Sequence, residues 1–122
     1  MTDRPFDPAA QPDDQPERDS PERRLLVAAY GGDFHGIQAA LKLGANINAV
    51  HPETGLSALH IAVGVNDILL CRFLIEKCAA GFFPDSFGRW PTLIAAECQV
   101  DEELSDFIVE QEARYLEQDR ST

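Results

Sequence analysis

Three histidines, three cysteines and two pairs of adjacent acids are the side chains here with the means to do chemistry. The acid pairs are Asp13-Asp14 and Glu102-Glu103. The first lies in a proline-rich stretch. The second falls at the start of a predicted helix, where acids complement the helix dipole. Cys71, Cys78 and Cys98 form no C-x-x-C pair, and no histidine stands near them at ligand spacing, so neither a disulfide framework nor a metal site is expected. They read as small buried hydrophobes in a reducing compartment. His60 is flanked by the core-type residues Leu59 and Ile61, with no second ligand or base in sight. His35 opens a helix and is expected to be solvated. His51 sits in a loop, where it is a candidate contact residue. The chain contains no G-x-S-x-G elbow, P-loop, H-E-x-x-H or G-x-G-x-x-G. No enzyme activity, cofactor or metal is therefore expected, and the chemistry left to these residues is binding.

The elements that would position them recur. Ser20-Pro21-Glu22 combines an N-cap serine, a proline at the first helical position and an acid in the first turn. An apolar helix to Tyr30 follows, broken by Gly31-Gly32. A second helix runs over about 34–43 with Ile37, Ala40 and Leu41 at helical spacing, and Gly44 ends it. After a loop with Pro52 and Gly55, a short helix covers 58–63. A longer one, capped by Asp67, covers 67–77. After a third loop with Pro84, Asp85 and Gly88, helices are predicted over 91–98 and from about 101 to 116 or 118. Units of this kind cannot cover their apolar faces alone and must stack.

Composition sets the outer bounds. The 122 residues suit one domain. No apolar run nears the ~20 residues of a membrane span, and the polar start carries no secretory signal, so a cytoplasmic protein is expected. The net charge of −11 is uneven: residues 101–122 hold eight acids against two Arg. Such a surface repels nucleic acid and anionic lipid, and any partner recognised by charge should be basic. Residues 1–22, with five prolines and Phe6 as the one large apolar residue after Met1, read as a disordered, acidic arm.

The periodic units resemble the ankyrin repeat, with its period of about 33 residues. Gly55-Leu56-Ser57-Ala58-Leu59-His60-Ile61-Ala62-Val63 falls on the family's G-x-T-P-L-H-x-A-A. Gly44-Ala45-Asn46-Ile47-Asn48-Ala49 matches the G-A-x-V-N-A ending, and Phe73-Leu74 fall on the paired leucines. Asp85, Gly88 and Pro91 keep register in the third unit. The second ending, Cys78-Ala79-Ala80-Gly81, is degraded. Trp90, Thr92 and Leu93 replace the family's Thr, Leu and His.

The resemblance implies an all-α solenoid of helix-turn-helix units joined by hairpin loops. The units cover about 23–49, 50–82 and 83–118, the first and last acting as caps, with 119–122 frayed. It implies that the chain binds another protein through a concave groove of hairpin tips and short-helix faces. Contact positions implied are Tyr30, His51, Pro52, Glu53, Leu56, Val65, Ser86, Phe87, Arg89 and Glu97. Phe83 joins them from the aromatic cluster Phe82, Phe83, Phe87 and Trp90, since aromatics and Arg anchor interfaces. Structural roles are implied for Gly44, Asn48, Gly55, His60, Gly88 and Trp90. There His60 hydrogen-bonds loop backbone and ties neighbouring units together. The expected protein is a monomeric adaptor or inhibitor of one partner. The alternatives are an immunity protein or antitoxin that neutralises a basic enzyme such as a nuclease, and a structural protein that self-associates through 82–90.

Overall fold

The computed structural model describes residues 20–121, with side chains described to residue 118. The arm expected over 1–22 therefore lies outside the described residues up to residue 19. Six helices follow in order: α1 (Pro21–Tyr30), α2 (Phe34–Lys42), α3 (Ala58–Gly64), α4 (Ile68–Glu76), α5 (Pro91–Cys98) and α6 (Glu102–Ser121). α6 thus extends beyond the end expected near Gln118.

Local capping explains the starts. The side chains of Ser20, Asp33 and Asp67 accept the backbone N–H of Arg23, Gly36 and Leu70, at 3.1, 2.9 and 3.1 Å. Each satisfies one of the donors that a helix start leaves without an intrahelical partner. α5 opens on Pro91 with Trp90 as an N-cap that lends no side-chain bond. Glu112 of α6 supplies one instead, accepting the Thr92 N–H at 3.0 Å.

The turns inside the three units are built alike. Gly32, Asn66 and Gln99 all have positive φ, at 66°, 62° and 53°. The residue after each donates its N–H five residues back: Asp33 to Ala28, Asp67 to Ala62, Val100 to Ala95. One backbone solution thus recurs three times, although only the first sequence has glycine at the strained position. At the outer helix ends the second unit differs from the first. Gly44, with φ of 102°, turns the chain after α2. After α4 the positive φ belongs to Ala79, at 59°, not to Cys78, which the sequence alignment placed opposite Gly44.

Helices α1, α3 and α5 pack side by side as one row, and each pairs with the helix that follows it. The core runs through this stack. Leu25, Ile37, Leu59, Leu70, Leu74, Leu104 and Ile108 are fully buried. In the second row, the Phe34 and Phe73 rings meet at 4.8 Å between α2 and α4, and the Arg72 guanidinium of α4 lies 4.5 Å over the Phe107 ring of α6. No helix among the described residues is long and apolar enough to cross a membrane.

Candidate functional site

The loop over 50–57 is a tight hairpin. Val50 and Ser57 form a single antiparallel bridge, the His51 N–H donates to Leu56 O at 2.9 Å, and the Gly55 N–H donates back to His51 O at 2.8 Å. His51 also folds its ring over the tip. Its Nδ1 accepts the N–H groups of Glu53 and Thr54 at 3.1 and 3.4 Å. The residue expected as a contact is thus also a brace of the turn it would present. Gly55 has φ of 74°, and a Cβ there would lie 2.5 Å from both N and Oγ of Ser86. Only glycine lets the next loop come this close. The Ser86 N–H then donates to Thr54 O at 2.9 Å, so the two tips are hydrogen-bonded to each other.

His60 makes the second tie between units. Its ring is buried, with Nε2 3.0 Å from Arg89 O and Nδ1 2.9 Å from Ser57 Oγ and 3.2 Å from Ser57 N. A carbonyl can only accept, so Nε2 carries the proton and Nδ1 accepts from Ser57. Burial lowers the pKa of the ring against the opposing pull of the Arg89 carbonyl, which favours this neutral tautomer. Asn48 supplies a third tie, its Oδ1 accepting the Gly81 N–H at 2.8 Å.

The second tip, over 84–89, is organised by Asp85. Its buried carboxylate accepts the N–H groups of Phe87 and Arg89 at 2.9 and 2.8 Å and the Arg89 Nε–H at 2.8 Å. Burial alone would raise the Asp85 pKa, but these donors outweigh it and hold the carboxyl below its usual range. Gly88, with φ of 80°, closes the turn. Arg89 also reaches Glu97 Oε1 at 3.2 Å, and its guanidinium lies 5.4 Å from the Phe87 ring. Arg89 and Glu97, both expected to meet a partner, are thus already engaged with each other. Phe87 remains 72% exposed at the tip.

Between α1 and the first tip lies a cleft of about 630 Å³. Leu26, Val27, Tyr30, Val50 and Pro52 give it apolar walls, while Ser20, Glu22, Arg23 and His51 supply its polar groups. Val27 and Tyr30 are 56% and 59% exposed and stand together on the cleft wall, so that they form a patch and not scattered single apolar groups. Tyr30, His51 and Pro52 were expected from the sequence. Leu26 and Val27 were not, because they read as part of an apolar run, nor was Val50, which follows the repeat ending at Ala49. The signal available was spacing: Arg23, Val27 and Tyr30 share one helical face, which Leu25, Ala28 and Ala29 do not.

The remaining sequence candidates fall elsewhere. Val65 lines a second hollow with Tyr30 and Leu69. Leu56 and Trp90 are half-buried against the core. Phe83 stands edge-on to Tyr115 of α6 at 5.9 Å and does not line the cleft. Glu53 and Ser86 are exposed on the tips. Among the described residues no group of three or more His, Cys, Asp or Glu converges as a metal site.

Residues 25–75, which run from α1 through most of α4, match the family model for ankyrin repeats (many copies). The segment is an ankyrin-repeat array. The ties just described fit that family: a buried histidine bridging to the next unit, an asparagine linking successive loops, and hairpin tips bonded side by side. The third helix pair lies beyond the matched residues but repeats the turn geometry of the ankyrin units before it. The chain is also 32% identical over 74 residues to oxysterol-binding protein homolog 1 of Saccharomyces cerevisiae. That similarity covers 57% of this chain and 6% of the yeast protein, so the chain matches only a small part of that relative. Ankyrin repeats are in general protein–protein interaction modules.

Proposed function

We propose that this chain binds one partner protein through the groove formed by α1, the 50–57 hairpin and the 84–89 tip. The observation that carries this reading is the open apolar cleft, with Val27 and Tyr30 left exposed beside a braced hairpin. Large exposed apolar groups rimmed by polar ones mark interaction sites. The rigidity of the tips supports the same reading, since little conformational entropy is lost when a pre-ordered surface binds. The 84–89 tip extends the surface with Phe87, joined to the first tip through the Ser86–Thr54 hydrogen bond.

The test is capture from source-cell lysate by the full chain, with Val27→Glu/Tyr30→Ala and Phe87→Ala variants alongside. Both variants alter exposed positions and should keep the wild-type circular dichroism spectrum. One stoichiometric partner that the cleft variant loses supports the groove. A partner kept by both variants, or none at low and moderate salt, removes the groove reading.

A second reading, neutralisation of a basic enzyme, rests on α6. Asp101, just before it, and Glu102, Glu103, Asp106 and Glu110 on it are all exposed. Such a surface steers a basic protein by charge and loses strength as salt rises.

A further inference from the structure

We propose that copies of this chain stack end to end, the α1–α2 end of one seated on the α5–α6 end of the next. The occupant of both ends is thus a second copy. The proposal needs neither the cleft nor the partner protein argued above.

The first support is how the array is built. α3 packs on α1 and α5 packs on α3, so each helix pair covers one side of the pair before it. At one end a groove of about 450 Å³ runs between α1 and α2, and no residue beyond Leu43 lines it. At the other end, Ile94 of α5 faces α3, since a Cβ on Gly64 would lie 3.8 Å from it. Ala96, on the opposite side of α5, is exposed. Phe107 of α6 faces Arg72 of α4. Val109, two positions on and so turned by about 200°, points away from α4 and is 48% exposed.

The second support is shape. Gly36, Ala39 and Ala40 line the groove with side chains small enough to admit those of another helix, between Val27 and Leu43, which are both 56% exposed. α6 presents the counterpart. Val109 and Leu116, both exposed, lie two helical turns apart on one face and form a ridge. Helices pack by setting such ridges into grooves. The third support is charge. Arg23 and Arg24 rim the groove, and Asp33, the acid among its lining residues, already caps the Gly36 N–H. The ridge is flanked by Glu102 and Asp106, which are exposed and carry no ion-pair partner among the described residues. Groove on ridge sets basic against acidic, whereas groove on groove or ridge on ridge sets like against like. The favoured contact joins two different surfaces, so each complex keeps one free groove and one free ridge and can add further copies. Each end is only two helices wide, so the contact is small and association is expected at high concentration.

The deciding experiment is sedimentation equilibrium on the full chain up to millimolar concentration, for wild type, Ala39→Glu and Val109→Glu. Both positions are exposed, lie outside the cleft and fall within helices that accept Glu, so circular dichroism should match wild type. The wild-type mass should climb with concentration past twice the 13.5 kDa of one chain. Each variant, with one end blocked, should associate at least tenfold more weakly. An equimolar mixture of the two should regain a complex of two chains and stop there, since only one pair of intact ends remains. A wild-type mass that stays at one chain overturns the proposal. So does either variant that self-associates like wild type, or a mixture no heavier than its parts. A chain that captures its partner yet shows no growth keeps the proposed function and loses this inference.

Discussion

His60 shows how one side chain can hold two units together and make the array sensitive to acid. Neutral, its ring donates to the Arg89 carbonyl and accepts from Ser57. Protonated, it would carry a charge into a buried site and turn its Nδ1 into a donor facing the Ser57 N–H. Burial accordingly pushes its pKa below the usual 6.5. The unfolded chain, with the ordinary value, binds the proton first. Stability is therefore complete above pH 6.5 and falls as the pH drops below it. Urea unfolding between pH 7.5 and 5 should show this decline, and His60→Gln should flatten it while costing about 1–3 kcal/mol at pH 7.5. The depressed pKa of Asp85 acts lower down, its contribution being lost only as the pH falls below the usual carboxylate value. The cysteines yield a second prediction. Burial, with Asp67 nearby, pushes the Cys71 thiol up to about 12. In the native protein a thiol reagent such as DTNB should titrate the exposed Cys98 first and the half-buried Cys78 slowly, because burial raises its pKa too. Cys71 should react only after urea is added. The burial expected of all three cysteines holds for Cys71 alone: Cys78 is half-buried and Cys98, at the end of α5, is exposed, because a helix's last turn need not face the core. The engagement of Arg89 was not legible in the sequence, because the Asp85–Arg89 bond exists only once Gly88 has turned the chain back.

At the scale of elements, the helices were legible because their starts carry chemistry of their own. Ser20 and Asp67 cap in the structure where their residue type and spacing suggest, and Asp33 caps α2 in the same way. The ends were less so, since a terminal turn is settled by what packs on it. Ala79 is the clearest case. The repeat register places the degraded glycine at Cys78, but the left-handed turn falls one residue later, at Ala79, because the Ala80 N–H reaches six residues back to Leu74 O where the Ala45 N–H reaches five, to Ala40 O. A non-glycine residue there bears a steric cost of about 1 kcal/mol. Ala79→Gly should thus raise stability by about 0.5–1 kcal/mol, less whatever glycine adds to unfolded-chain entropy. Gly55→Ala should do the opposite, and more strongly. Its φ of 74° disfavours a side chain, and its Cβ would strike the Ser86 backbone. A loss on the order of 2 kcal/mol or more is expected, given both strain and a broken tip-to-tip hydrogen bond. Thermal melts of the two variants beside wild type would read both signs. If Gly55→Ala melts with wild type, the two tips are not held as closely as their geometry requires.

For the whole molecule, the open question is which of two surfaces does the binding, the apolar cleft or the acidic outer helix. They lie on different elements and obey different physics, so one substitution set separates them. Glu102, Glu103 and Asp106 are exposed around the first turns of α6, with no part in the buried core. Acids there also favour the helix dipole, so reversing them costs some stability, about 0.3–1 kcal/mol each at low salt. The net charge would move from −11 toward −5, six units for three Glu/Asp→Lys changes. A partner held in the cleft by apolar contacts should then keep its affinity to within about threefold, because rim and remote charges act mainly on association rate. A basic partner held by α6 should lose tenfold or more, and its affinity for the unaltered chain should fall steeply between 50 and 500 mM salt as charges are screened. Titration calorimetry of both chains against the captured partner at the two salt concentrations gives both readouts. Salt-insensitive binding that survives the reversal leaves the cleft as the binding surface. Binding lost both to the charge reversal and to salt would transfer the function to α6 and remove the cleft as the binding surface.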